Sequence, residues 1–139
     1  MAAEFRARSV QIFRPYPDEA PWPLLAIAGL DEAALQDRLT HDQTRIAKFD
    51  GRLVGAYGLR PMDDVRFELV ALAVAEGYRR RGLGRWLLGH ALGLAESRGG
   101  REVVTAGCPG GPSAAARRLL TGVGFVADGE RLRLALTPE

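Results

Sequence analysis

Phe67-Glu68-Leu69-Val70-Ala71-Leu72-Ala73-Val74 is followed, after Ala75-Glu76-Gly77, by Tyr78-Arg79-Arg80-Arg81-Gly82-Leu83-Gly84-Arg85. The first eight residues are almost continuously apolar, a pattern suited to a strand covered on both faces at the centre of a sheet. From Gly82 to Arg98 the spacing changes: Leu83, Leu87, Ala91 and Leu94 form an apolar stripe at helical period. A buried strand therefore leads through a glycine-containing turn into a helix. Main-chain N–H groups at a helix start lack intrahelical partners and lie at the positive end of the dipole. Gly82 and Gly84 carry no side chains, so an anion can come close to the backbone. Arginines add charge-assisted hydrogen bonds of about 1.5–3 kcal/mol each when desolvated. The segment has the makings of a pyrophosphate cradle.

Two other phosphate loops fail at identifiable positions. No Gly-Lys-Ser/Thr occurs, which excludes the nucleotide-hydrolase loop. The third glycine of the dinucleotide fingerprint would fall where Leu87 stands.

Outward from this segment, Glu102 to Ala106 reads as a second buried strand. Ser113 to Val123 reads as a helix capped by Ser113 and stopped near Gly124. Two short strands surround Asp128-Gly129, with Leu132, Leu134 and Leu136 alternating with Arg131 and Arg133, the period of a half-solvated strand. Towards the N-terminus, Asp50-Gly51 between Thr44–Phe49 and Arg52–Leu59 predicts a hairpin, and 61–65 a loop. Arg8 to Phe13 predicts a first strand, and Pro23 to Ala28 a short helix. A second helix starts at Asp31, with Ala34, Leu35 and Leu39 turned inward. The order βααββ, βαβα, ββ predicts a mixed α/β fold around one sheet, a single domain over residues 1–139.

Composition narrows the function classes. The 47% hydrophobic and 26% charged residues are those of an ordinary globular protein. No apolar run approaches the ~20 residues of a membrane span. Met1 to Val10 carries charges where a secretory leader is apolar, so a cytoplasmic location is expected, with no membrane partner. Cys108 is the only cysteine, which excludes an intrachain disulfide, and His41 and His90 make no convincing metal pair. A net charge of +2 with little aromatic interleaving argues against nucleic acid. Lys48 is the only lysine; the preference for arginine suits phosphate binding or reflects codon usage.

Arg79, Gly82 and Gly84 fill the Gln/Arg-x-x-Gly-x-Gly/Ala pattern of the GNAT N-acetyltransferases, which this chain resembles. The resemblance extends over nearly the whole element order and includes Gly124-Phe125 at the end of the last helix. It implies a GNAT-like mixed, mostly antiparallel central sheet, splayed between two parallel strands at 67–74 and 102–106, with helices on both faces. It further implies acetyl-CoA as acyl donor. The pantetheine arm would bond main chain near Leu72, Ala73 and Val74, and Ser113 could bond a pantetheine amide. The amides of Arg79, Arg80, Arg81, Gly82, Leu83 and Gly84 would take the pyrophosphate. The side chains of Arg80, Arg81 and Arg85 would meet solvent or the outer phosphates.

The implied reaction moves acetyl directly from the thioester to a primary amine of a small molecule, peptide or protein. An amine of pKa about 10.4 is mostly protonated near pH 7, and a positioned base contributes roughly 10²–10⁴-fold. Glu68 is the expected base: alternation puts it on the face of Val70, Leu72 and Val74, and its spacing before Arg79 matches the glutamate of histone-type relatives. The tyrosine that many relatives use to protonate the leaving thiolate is replaced by Leu120. Water, Cys108 or Tyr57 could substitute, or the thiolate leaves unprotonated. His90 reads as packing and His41 as a possible substrate contact. The acceptor site is expected from residues 15–42 and the loop 61–66, where Asp63, Asp64 and Glu32 could attract a cationic amine. The missing tyrosine also fits an alternative, a non-catalytic acetyl-CoA-binding regulator acting through a protein partner. A monomer or a homodimer fits either reading.

Overall fold

Asp50 and Gly51 both take positive φ, 52° and 77°, as a tight hairpin turn requires. This turn, in the computed structural model of the protein, joins the two strands anticipated on either side of it. The structure describes residues 6–15, 21–26, 31–105 and 114–136. In chain order the elements are β1 (Gln11–Phe13), α1 (Trp22–Leu25), α2 (Glu32–Arg38), β2 (Thr44–Phe49), β3 (Arg52–Pro61) and β4 (Arg66–Val74). Then follow α3 (Leu83–Ser97), β5 (Glu102–Thr105), α4 (Ala114–Val123), β6 (Val126–Asp128) and β7 (Arg131–Ala135). β1 is shorter than its sequence suggests because Ala7–Ser9 closes into a 3-10 turn.

The strands form one sheet in the order β1-β2-β3-β4-β5-β7-β6. Only β4 and β5 run parallel, joined through α3; every other pairing is antiparallel. This is the mixed, mostly antiparallel sheet expected. Asp31 caps α2 by accepting from the Ala34 amide at 2.7 Å.

Helices cover both faces. Trp22, Leu25, Leu35 and Leu39 of the α1–α2 segment pack on Ile46, Ala56, Val70, Ala71 and Ala73. On the opposite face Leu83, Leu87, Leu88, Ala91 and Ala95 of α3, with Leu120 of α4, meet Tyr57, Leu59, Phe67, Leu69, Val103 and Leu132. Each fully buried leucine contributes about 1.5–3 kcal/mol of apolar burial. The α3 stripe runs through Leu88 and Ala95, and Leu94 is only half-buried. No helix among the described residues is long and apolar enough to cross a membrane.

One irregularity in β4 changes the sequence reading. Gly58 faces Ala71 and Leu59 faces Leu69, so Val70 is an extra residue without a cross-strand partner. Val70 and Ala71 both pack on the α1–α2 side. Strict alternation therefore breaks at this bulge. Phe67 and Leu69 point to the α3 face, as Leu72 and Val74 do beyond the bulge. Glu68 shares a face with Val70 but not with Leu72 and Val74, a correction to the alternation inferred from sequence.

Candidate active site

β4 and β5 pair only from Arg66–Glu102 to Leu69–Thr105. β4 continues for five residues beyond this, with β3 along one edge and no strand along the other among the described residues. The polar backbone of a strand edge is a ready partner for an extended ligand. Leu72, Ala73 and Val74 lie on this stretch. Residues 106–113, which contain Cys108 and Ser113, lie outside the described residues.

At the end of β4 the chain enters a tight loop. The Tyr78 amide donates to the Ala75 carbonyl at 3.0 Å, and Gly77 takes φ 95°. Arg80 has φ 61° and Gly82 φ 82°, while Arg79 and Arg81 between and before them do not. Alternation of left- and right-handed residues turns successive N–H groups towards one concave side, the geometry of an anion-binding nest. For Arg80 the left-handed conformation costs roughly 1–2 kcal/mol, strain held in the segment expected to meet the ligand. Gly82 caps α3 without a side-chain hydrogen bond. The α3 start is thus left to backbone donors. A Cβ added at Gly82 would stand in open space, its nearest neighbour the Ala7 Cβ at 4.0 Å. An approaching phosphate fits that space, and a side chain would fill it.

The arginines divide by task. Arg79 Nε donates to the Val74 carbonyl at 3.1 Å, tying the loop to the end of β4. Arg85 Nη2 donates to the Gly122 carbonyl at 3.4 Å, in the last turn of α4, where a cation suits the dipole. Arg80 and Arg81 are exposed at the loop surface. At Gly84 an added Cβ would lie 3.3 Å from Leu119 Cδ2 and 3.8 Å from Val74 Cγ2, so its absence lets α3 sit close to α4 and β4.

Glu68 is 1% exposed. Its Oε1 accepts from Arg60 Nε at 2.7 Å, and its Oε2 from Arg131 Nη1 at 3.4 Å. Both carboxylate oxygens of the expected base are therefore engaged by guanidinium groups. Arg60 lies opposite Glu68 in the β3–β4 register, whereas Arg131 arrives from β7. Neither arginine was among the residues anticipated for the site. Arg60 reads as the end of a hairpin strand and Arg131 as a solvated position, and nothing local in either segment signals the pairing.

Elsewhere the expectations separate. Leu120 is buried, packed with α3 in the core. The Phe125 and Gly124 amides donate back to the Leu120 carbonyl at 3.0 and 3.2 Å, closing α4 as Gly124-Phe125 suggests. Tyr57 is fully buried and its hydroxyl lies 2.6 Å from His90 Nδ1. Burial pushes the Tyr57 hydroxyl upward in pKa, and burial followed by the Arg45 charge pushes His90 downward. The two side chains thus share one hydrogen bond, whose direction follows the imidazole tautomer. Asp63 serves its own loop, accepting from the Val65 and Arg66 amides at 3.0 and 2.8 Å and from Arg66 Nε at 2.7 Å. The Val65 amide, then Arg66, holds its carboxyl below the ordinary value. Asp64 and Glu32 are exposed, and His41 begins the 3-10 turn His41–Gln43.

The model of a family described as acetyltransferase (GNAT) matches residues 5–125. Among solved structures, an IAA acetyltransferase from Bacillus cereus superposes with a TM-score of 0.76 at 24% identity, covering 92% of this chain and all of its own. A GNAT family acetyltransferase from Elizabethkingia anophelis with acetyl-CoA bound gives 0.76 at 19% identity, over 91% of this chain and 98% of that one. The ribosomal-protein-S18-alanine N-acetyltransferase from Escherichia coli gives 0.73 at 18% identity, over 94% and 96%. No curated protein matches the sequence significantly.

Proposed function

The chain belongs to the acetyltransferase (GNAT) family, and from that premise we propose that it transfers acetyl from acetyl-CoA directly to a primary amine. The observation that carries this reading is a β4 stretch with no strand on its second edge among the described residues, leading to an α3 start without a side-chain cap through a loop with Arg80 and Gly82 at positive φ. In this reading the Val70–Val74 edge binds the pantetheine arm, and the amides of residues 79–84 bind the pyrophosphate. Arg79 and Arg85 hold the cradle in shape. Arg80 and Arg81 offer their side chains to the outer phosphates.

The amine lone pair attacks the thioester carbonyl carbon, the C–S bond breaks, and CoA leaves as the thiolate. The attacking nitrogen must shed two protons. Glu68 takes the first proton as the incoming ammonium displaces Arg131, the longer of its two partners at 3.4 Å, and the second proton, released from nitrogen as the C–S bond breaks, passes to water. Tyr57 is not used for the thiolate, because its hydroxyl is engaged with His90. A second reading, an acetyl-CoA-binding regulator, draws support from one observation: a buried leucine, Leu120, fills the position of the usual tyrosine.

The cradle is tested at Gly82. Gly82→Ala forces a Cβ onto a left-handed residue and into the anion's space. We expect a stability loss of about 1–2 kcal/mol and, beyond it, acetyl-CoA affinity reduced roughly tenfold or more in calorimetry. Unchanged affinity in the folded variant would contradict the pyrophosphate assignment.

A further inference from the structure

Glu68 sits under two guanidinium groups from strands on either side of it, and the three charges face the α1–α2 side of the sheet. Gly58 packs against Leu39 of the α2 segment, and Arg60, two residues further along β3, shares that face. The acid is buried, with a side-chain exposure of 2%, while Arg60 and Arg131 are 37% and 40% exposed. What the cluster presents outward is therefore guanidinium, not carboxylate. Arg60 spends only Nε and Arg131 only Nη1 on Glu68. Each guanidinium has five N–H donors in a planar fork, so the remainder are available to a second acid. The next arginine on this part of the sheet, Arg133, already lies 3.5 Å from Glu102 and 3.9 Å from Asp128.

Resting on the amine-acetylation reading, we propose that the acceptor is a small free amino acid. Arg60 and Arg131 bind its carboxylate as Glu68 receives its ammonium.

The charge balance selects this class. Arg60, Glu68 and Arg131 sum to one positive charge. A simple alkylamine would enter as a third cation around a single carboxylate. An amino acid brings its own anion, so every charge keeps a partner when Arg131 moves from Glu68 to the ligand. The carboxylate and amine of an amino acid are joined through one carbon, close enough for one cluster to hold both. Along β4 the strand rise of about 3.3 Å per residue sets Glu68 within about 10 Å of Ala71. The bound amine thus lies near the start of the β4 edge proposed for the pantetheine arm. Glu68 contacts the ammonium and accepts its proton, and between turnovers it positions the two arginines.

The test compares acetylation of free amino acids with that of their α-carboxamides by the full chain saturated with acetyl-CoA. Wild type should favour the acids in kcat/KM by at least about tenfold. Arg60→Gln and Arg131→Gln should each lower kcat/KM for the acids at least about tenfold more than for the amides. Because removing one arginine leaves Glu68 buried with a single partner, the Glu68→Gln/Arg131→Gln pair provides a charge-matched variant. It should be folded by circular dichroism and, titrated calorimetrically in its CoA-bound form, bind the acids no more tightly than the amides. Equal use of acids and amides by wild type would overturn the proposal, as would an equal loss on both from folded arginine variants. If no thiol is released with any acceptor, the amine-acetylation reading fails by itself. Calorimetric titration of the CoA-bound chain with the same pairs then decides: tighter binding of acids supports the arginine site, and equal or undetectable binding overturns it.

Discussion

His90 pairs with Tyr57 across the α3–β3 contact, and its proton affinity is set by burial first and the Arg45 charge second. The folded imidazole binds its proton less readily than the unfolded one, which titrates near 6.5. A lowered pKa stabilises the fold above the unfolded value, and that contribution is lost as pH falls from about 6.5 through the folded value. The Tm of wild type should therefore drop faster on acidification from pH 7.5 to 5 than that of His90→Gln. A constant difference across that range would show that His90 does not titrate with folding. Residue-scale features of this kind depend on chain segments brought together late. Tyr57 and His90 carry no local sign of their pairing in the sequence, and neither do Arg60 and Arg131. Glu68 could be singled out from its place on an apolar strand. Its two partners could not, because one of them lies 63 residues away.

At the scale of elements, α3 is held against the sheet by the absence of side chains as much as by their presence. A Cβ at Gly55 would come 2.6 Å from Leu87 Cδ1 and 3.3 Å from the Ala73 carbonyl oxygen. The leucine tip can yield, but the β4 backbone at the proposed pantetheine edge cannot. Gly55→Ala should cost about 1–3 kcal/mol in denaturant unfolding, the usual penalty for overpacking. A neutral result would mean that α3 is free to lift from β3. Such element positions were largely legible. Asp50-Gly51 marked its turn, Asp31 its cap and Gly124 its helix end, because each carries local chemistry. The Val70 bulge was hidden for a physical reason. A strand buried on both faces has no polar alternation whose break would reveal an extra residue. The same uniformity made alternation a poor guide to the face of Glu68.

For the whole molecule, the parallel β4–α3–β5 unit sets the candidate site, since among the described residues the β4–β5 pairing ends at Leu69–Thr105 while β4 runs on beside β3. Sequence pattern gave the number and order of elements, and the phosphate-loop logic points to the segment proposed as the cradle. The proposed acceptor side draws on β3, β4 and β7 and was not readable as a motif. The most direct test of acetyl transfer follows thiol release from acetyl-CoA by the full chain as amines are added, with mass spectrometry of the products. Amine-dependent release should be matched one-for-one by an N-acetylated product, with free amino acids the best acceptors. Acetyl-CoA binding with no release across amino acids, polyamines and peptides would contradict acetyl transfer and leave the regulator reading in its place.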